Sequence, residues 1–281
     1  MKQIVLILFV LFLIKPNLFA QYQTETGARQ GGMSGSGVVI SDIWSSYHNQ
    51  AGLANLQGIS AGLFYSSIFN MSDLKEAAFA VAVPAEKYGT AGINYTYNGN
   101  EFSNFGKLGI AFAKRLGKRI SAGIQLDYIM FSQADYGNSG AVAGEAGFIA
   151  EPADNLYIGA HIYNPWRAKI NDSEDYIESV MRIGAGYYFS EKVLFTVETE
   201  KEVDKTTVFR AGTEYAVIPG LFVRAGVSLN PTEYSFGLGY NYKNILIDLA
   251  YISHDILGYY MQFGLGYSLK KVSKNTEPQN K

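Results

Sequence analysis

The chain has 281 residues, a formal net charge of −2, no cysteine, and only 17% charged residues. Soluble domains carry about 25% charged residues, so this composition disfavours a soluble enzyme. Without cysteine no disulfide can stabilise an exported fold, and without a basic excess we expect no nucleic acid partner.

Residues 1–20 have the pattern of a secretory signal peptide. Lys2 supplies a positive start, the run Ile4–Ile14 is apolar, and Pro16 interrupts it before Ala20. A run of about eleven apolar residues suits the hydrophobic region of a signal peptide and is too short to cross a bilayer as a helix. We therefore predict cleavage after Ala20.

Residues 21–57 show no regular alternation of polar and apolar positions. The first half is glycine-rich, and the second half carries Trp44, Tyr47 and Leu53, which need cover from water. Ser41 is a candidate N-cap for a short helix in this second half. Two interpretations stay open, a flexible periplasmic leader and a hatch that folds back into the rest of the protein, and we favour the hatch.

From residue 58 onward the pattern has a period of two, which is typical of a strand with two different faces. Ile124 and Tyr128 share one face of such a segment, for example, and Gln125 and Asp127 share the other. About fourteen segments follow this pattern, at approximately 58–68, 75–83, 89–98, 105–116, 119–131, 141–150, 156–164, 178–189, 192–201, 206–218, 221–230, 233–243, 245–253 and 259–269.

The length of these segments indicates strands that cross a membrane. Most have about 9–13 residues, whereas strands of globular proteins usually have about 5–6, and a tilted strand needs about 9–11 to cross a bilayer. Connections that are predicted to be short, such as Lys243–Asn244, alternate with longer ones, such as 132–140 and 165–177. We therefore predict an all-β fold, a transmembrane antiparallel β-barrel over residues 58–269, with both termini in the periplasm of an outer membrane. Residues 270–281 are predicted to be a disordered tail.

In such a barrel the apolar face contacts outer-membrane lipid and the other face lines the lumen. The acids and bases of the lumen face could pair across neighbouring strands and brace the wall, or line a polar path, and we favour bracing. The predicted lumen residues are Lys107, Gln125, Asp127, Glu145, His161, Arg182, Glu198, Arg210, Glu214, Arg224 and Asp248.

The stretch GARQGGMSGSGVVISDIWSSYHNQAGLANL resembles the N-terminal signature of the FadL-like superfamily of fatty-acid transporters. The nearest branch is the PorV/PorQ-type proteins of the Bacteroidetes type IX secretion system, although Gln50 stands where that family has proline. The resemblance implies a fourteen-stranded barrel that carries hydrophobic molecules or, in the secretion branch, binds or shuttles cargo. The matching residues are Arg29, Gly32, Met33, Gly35, Asp42, Asn49 and Gly52.

Nothing in the sequence predicts catalysis, a cofactor or a metal site. The three histidines, His48, His161 and His254, have no nucleophile at a diagnostic spacing. The acidic residues Asp172, Glu174, Asp175 and Glu178 lack the order of a calcium loop, so a solvated loop is the simpler interpretation.

Two functions are compatible with these features. The first is a scaffold or accessory component of the cell envelope, with other envelope proteins or the type IX secretion proteins as partners. The alternative is a passive transporter or pore for small or hydrophobic solutes.

Overall fold

A computed structural model describes residues 25–67, 74–85, 87–134, 137–170 and 176–269. The predicted signal peptide, the predicted tail at 270–281 and most of the acidic loop lie outside these described residues. Among the described residues, no helix combines the length and the apolar character that a membrane crossing would need.

The fold is a closed antiparallel β-barrel of fourteen strands. Each strand pairs with its neighbours in sequence, and β1 closes the barrel by pairing with β14 from Ser60↔Ser268 to Ser67↔Met261. The strands are β1 Ser60–Ser67, β2 Lys75–Ala85, β3 Gly89–Gly99, β4 Ser103–Arg115, β5 Ile120–Gln133, β6 Gly137–Ala153, β7 Leu156–Tyr163, β8 Val180–Ser190, β9 Val193–Glu202, β10 Val208–Ile218, β11 Leu221–Leu229, β12 Glu233–Tyr242, β13 Ile245–His254 and β14 Gly258–Ser268.

The predicted barrel and its strand count are confirmed, but one predicted loop is wrong. The sequence analysis placed a long connection at 132–140, whereas β5 continues to Gln133 and β6 begins at Gly137. The ladder between them extends through Met130↔Gly140 and Ser132↔Asn138. This part of both strands consists mainly of polar residues and glycines, so the sequence shows no alternation of polar and apolar positions there. The backbone pairing nevertheless continues.

The two faces of the wall differ as the period of two predicts. Leu63, Leu126 and Phe236 point outward and are more than half exposed, while Gln125 and Asp127 point inward and are buried. Apolar side chains that face outward on every side of a closed sheet require lipid around them, because water would not solvate so large an apolar surface.

Residues 25–57, which we call the inner segment, lie inside the barrel. They contain two short helices, α1 Ala28–Gly31 and α2 Ser45–His48, and a 3-10 helix Gln50–Asn55. The predicted N-cap Ser41 is wrong. The residue before α2 is Trp44, and the amide N–H of Trp44 donates to Asp42 Oδ1 at 2.9 Å.

Candidate functional site: the occupied lumen

The inner segment packs its apolar side chains against one part of the barrel wall. Trp44, Tyr47 and Leu53 are buried against small and aromatic side chains of β1 to β4, including Phe64 and Ala80. The hydroxyl of Tyr47 also donates to the carbonyl oxygen of Phe79 at 2.8 Å. Burial of these apolar side chains stabilises the docked position of the inner segment.

On the opposite side, an ionic chain joins the inner segment to β10, β11 and β13. Arg29 donates through Nε and Nη2 to both oxygens of Glu214, at 2.9 and 2.7 Å, and through Nη1 to Asp42 at 3.2 Å. Arg224 then bridges Glu214 at 2.6 Å and Asp248 at 2.7 Å. The signature residue Arg29 therefore holds the inner segment to the wall, and the signature residue Asp42 binds Arg29 from within the segment.

A second ionic group lies nearer the longer connections. Glu25 pairs with Arg210 at 2.8 Å and with Arg182 at 3.4 Å, and both arginines also contact Glu200. The amide N–H of Val38 donates to Glu198 at 2.8 Å. Opposite charges surround each of these buried groups, as burial of charge requires.

A third contact region is formed by amide side chains. Asn49 donates through Nδ2 to the carbonyl oxygens of Val38 at 2.7 Å and Phe148 at 3.1 Å. Gln50, which replaces the proline of the resembling family, donates to Glu145 at 2.5 Å. Gln50 therefore supplies a hydrogen bond to this carboxylate that a proline at the same position could not supply, because proline has no side-chain donor.

Glycines on the inner face of the wall give the backbone of the inner segment room. A side chain at Gly147 would overlap Oδ1 of Asn49, and a Cβ at Gly32 would lie 2.9 Å from Cα of Gly237. The signature residue Met33 sits against the wall glycines Gly212 and Gly226. This close approach explains why glycine alternates with apolar residues in so many strands.

The remaining signature residues shape the inner segment itself. Gly35 has a positive φ of 80°, a conformation that glycine adopts without strain. Gly52 packs against the side chain of Ser45, where a Cβ would clash.

The structure places the predicted lumen residues inside the barrel and pairs them as follows. Arg224 joins Glu214 on the neighbouring strand and Asp248 two strands away, while Arg182 and Arg210 pair chiefly with Glu25 and Glu200. Neither of these glutamates was among the predicted lumen residues. Glu200 lies two residues after Glu198 and so shares its inward face, a signal that was available, whereas nothing local pointed to Glu25.

The three histidines contact the inner segment, the wall and a turn. His48 donates through Nε2 to the carbonyl oxygen of Thr26 at 2.8 Å, and His161 bonds Glu145 at 2.9 Å. His254 lies at the end of β13 and contacts the following turn. Within the described ranges, no group of three or more histidine, cysteine or acidic residues is arranged to hold a metal ion.

Cavities lie at both ends of the lumen, and residues of the inner segment line each of them. The cavity on the side of the longer connections has a volume of about 390 Å³ and is lined by Glu25, Glu200 and Arg210 among others. The cavity on the side of the short turns has about 320 Å³, with Arg29 and Tyr157 in its lining. The inner segment thus occupies the middle of the lumen, and its role as a movable hatch stays a prediction.

In the described part of the barrel wall, a seam lies between β6 and β7. Strand β6 pairs with β5 as far as Gly137, but the pairing with β7 begins only at Glu145↔Tyr163. Residues 137–144 of β6 therefore have no strand beside them on that side, in the described part of the chain. The connection after β7 covers this edge, with Asn164 N bonded to Gly144 O at 2.8 Å and Trp166 Nε1 to Val142 O at 3.3 Å.

Apolar side chains lie directly behind the seam. A cluster formed by Phe105, Ile129, Ala141, Ala143 and Ile177 is buried there, and Ala168 and Ile170 of the covering connection pack against it. On the outside, the ring of Trp166 lies over Gly144 and is 57% exposed. The seam is therefore lined by apolar groups on both sides.

No family model and no curated protein sequence matches the chain. Solved structures do match. The monoaromatic hydrocarbon channel CymD has a TM-score of 0.70 and 14% identity, over 87% of this chain and 97% of CymD. The Ralstonia pickettii toluene transporter TbuX has 0.69 and 12%, over 86% and 98%. A Pseudomonas aeruginosa FadL homologue has 0.62 and 12%, over 88% and 99%. The chain therefore has the fold of these FadL-type channels.

Proposed function

We propose that this protein is a member of the FadL-like superfamily that transports small hydrophobic solutes passively across the outer membrane. The observation that carries the proposal is the seam between β6 and β7. At the seam, the connection after β7 separates the apolar cluster inside the barrel from the lipid-facing surface. Elsewhere a ladder of paired strands separates the two sides.

The physical argument concerns how easily this part of the wall can open. Separation of two paired strands in hydrocarbon would expose many backbone groups, at several kcal/mol each. At the seam, Asn164 and Trp166 of the connection donate hydrogen bonds to the edge where a continuous strand ladder stands elsewhere. A small movement of the connection would therefore open a passage for an apolar molecule at a lower cost than elsewhere in the barrel.

The comparisons support transport more than they support the predicted accessory role. Two of the similar structures are a monoaromatic hydrocarbon channel and a toluene transporter. The predicted link to type IX secretion and the placement with the PorV/PorQ-type branch gain no support from them. Our proposal also includes an outer-membrane location, periplasmic termini, lipid as the principal partner and no enzymatic activity.

Uptake of labelled toluene by cells that depend on this protein tests the proposal. Ala143→Phe places a ring in the apolar cluster behind the seam and should reduce uptake about tenfold or more, as blockage of a passage does. Val197→Phe is the matched control, since this side chain on β9 faces lipid away from the seam and is 43% exposed. Trp166→Ala should raise uptake because it removes the indole ring that covers the outside of the seam.

Heat-modifiability on a gel establishes that each variant folds. Equal uptake by the Ala143→Phe and Val197→Phe variants would argue against a path through the seam. If the wild-type protein does not raise toluene uptake above that of cells without it, the transport proposal is wrong.

A further inference from the structure

A small cavity lies inside the barrel, beside the apolar cluster behind the seam. Its volume is about 60 Å³, and its lining includes Tyr47, Thr96, Phe105 and Lys107. Phe105 is also a member of the apolar cluster. Nζ of Lys107 lies 5.2 Å from the ring centre of Tyr163, which packs against the same cluster. The small cavity therefore adjoins the place where the proposed transport path reaches the wall.

Glu25 and Arg182 separate the small cavity from the larger cavity on the side of the longer connections. Both residues line the small cavity, and both line the larger one. They also contact each other, since Arg182 Nη2 donates to Glu25 Oε1 at 3.4 Å. Two side chains that line both cavities and touch each other form a partition between them.

This partition can open without leaving a charge unpaired. Arg182 donates through Nε to Glu200 Oε2 at 2.6 Å, and Glu25 accepts from Arg210 Nη2 at 2.8 Å. Both distances are shorter than the 3.4 Å between Arg182 and Glu25. Loss of the only partner of a buried charge is costly. Separation of Glu25 from Arg182 avoids that cost, because each keeps a closer partner.

The size of the small cavity requires movement if a solute enters it. A buried cavity of about 150 Å³ holds one benzene molecule. The small cavity, with about 60 Å³, has no room for an aromatic ring while Glu25 and Arg182 are in contact. The larger cavity has room for one, with about 390 Å³. An aromatic solute in the larger cavity can therefore go further only when the two side chains move apart.

We infer that the contact between Glu25 and Arg182 is a gate through which a small aromatic solute passes from the larger cavity to the seam. The inference rests on the proposed transport function. Glu25 is the first residue of the inner segment, and Arg182 belongs to β8 of the wall. A shift of Glu25 away from Arg182, with Arg210 still as its partner, opens the way to Phe105 and the apolar cluster.

Uptake of labelled toluene by cells tests the gate in a variant that carries both Glu25→Cys and Arg182→Cys. The wild-type chain has no cysteine, so within this protein a bis-methanethiosulfonate reagent can bridge only these two positions. The bridge holds the gate closed and should lower uptake about tenfold, and reduction of the bridge should restore uptake. The two single variants and the wild-type protein, treated with the same reagent, are the controls, and they should keep most of their uptake.

A second variant opens the gate. Glu25→Gln removes the ionic contact with little change in shape and should raise uptake about threefold, because less free energy is needed to separate the two side chains. Glu202→Gln is the matched control. Its carboxylate lines the larger cavity but is not part of the described lining of the small one. Heat-modifiability on a gel shows that each variant folds.

The outcomes separate the gate from the proposed function. If the bridge leaves uptake unchanged while Ala143→Phe still lowers it, the gate is wrong and transport through the seam stands. Equal uptake by the Glu25→Gln and Glu202→Gln variants would also overturn the gate. If the wild-type protein does not raise uptake at all, the proposed function fails, and the gate fails with it.

Discussion

Arg29 shows at the residue scale how the inner segment is held. Its guanidinium spans Glu214 on the wall and Asp42 within the segment, and its side chain is 16% exposed. Loss of one partner from a fully buried ion pair costs about 3–5 kcal/mol, and partial exposure reduces that value. We predict that Arg29→Ala weakens docking of the inner segment by about 2 kcal/mol, or about thirtyfold in the docking equilibrium.

The rate at which a thiol reagent labels a cysteine at Ser36 measures this change. Ser36 is 1% exposed and the chain has no native cysteine. The reagent can therefore reach a cysteine at this position only when the inner segment leaves its docked position. Arg119→Ala is the matched control, since the pair of Arg119 with Asp154 is exposed and should contribute little. Equal labelling rates in the two variants would contradict an anchoring role for Arg29.

His48 gives the docking of the inner segment a dependence on pH. Burial lowers the pKa of His48 below its ordinary value of 6.5, although Glu25 nearby acts in the opposite direction and Arg182 adds to the lowering. A proton therefore binds more readily when the segment is undocked. The contribution of His48 is fully present above about pH 6.5 and is lost as the pH falls below that value.

The rate of labelling at position 36, divided by that of a free cysteine peptide at the same pH to correct for the thiolate fraction, should accordingly be higher at pH 5.5 than at pH 7.5. His48→Gln keeps a donor for the carbonyl oxygen of Thr26 but does not titrate, so it should flatten this dependence. If the His48→Gln variant shows a pH dependence of the same size, groups other than His48 cause that dependence.

At the element scale, the lumen face of the wall carries an excess of acidic side chains. The acids of the described wall that face the lumen include Glu76, Asp127, Glu145, Glu198, Glu200, Glu202, Glu214 and Asp248, and the bases include Lys107, Arg115, Arg182, Arg210 and Arg224. A ring of acidic side chains favours passage of cations.

Deletion of residues 25–57 should therefore open a cation-selective pore. We expect conductance in planar bilayers to rise about tenfold or more, since a fourteen-stranded barrel has room inside beyond its own side chains. The reversal potential in a KCl gradient measures the selectivity. Glu198→Gln combined with Glu200→Gln in the deletion variant should reduce that selectivity, and unchanged conductance on deletion would mean that the segment does not block the lumen.

At the scale of the whole molecule, stability depends on the match between the outer face and lipid. Leu126 lies in the middle of β5 and is 58% exposed, whereas Phe189 lies near the end of β8 and is 68% exposed. Arginine on the lipid face costs about 2–4 kcal/mol at the bilayer midplane and about 0–1 near its edge.

We predict that Leu126→Arg lowers the free energy of unfolding by about 2–4 kcal/mol and that Phe189→Arg lowers it by about 0–1. Denaturant titration of the protein in phospholipid vesicles measures both values. Similar losses at the two positions would contradict the depth that the strand bounds assign to them.

The sequence by itself determined the closed barrel, its number of strands and the inward position of residues such as Gln125 and Asp127. Strands long enough to cross a bilayer with two unlike faces have one stable arrangement in lipid, because every backbone group must be paired and the sheet must close. The alternation therefore needed no knowledge of distant contacts. Its weak point was the end of β5, where polar residues continue the ladder.

Only the tertiary structure decided which groups meet inside the barrel. Arg29 and Glu214 are 185 residues apart in the chain, and their contact depends on the register of every strand between them and on where the inner segment lies. The seam beside β6 likewise follows from the late start of the pairing with β7, which no local pattern records. Local periodicity fixes which way a side chain faces, but partners across the lumen are set by closure of the whole sheet.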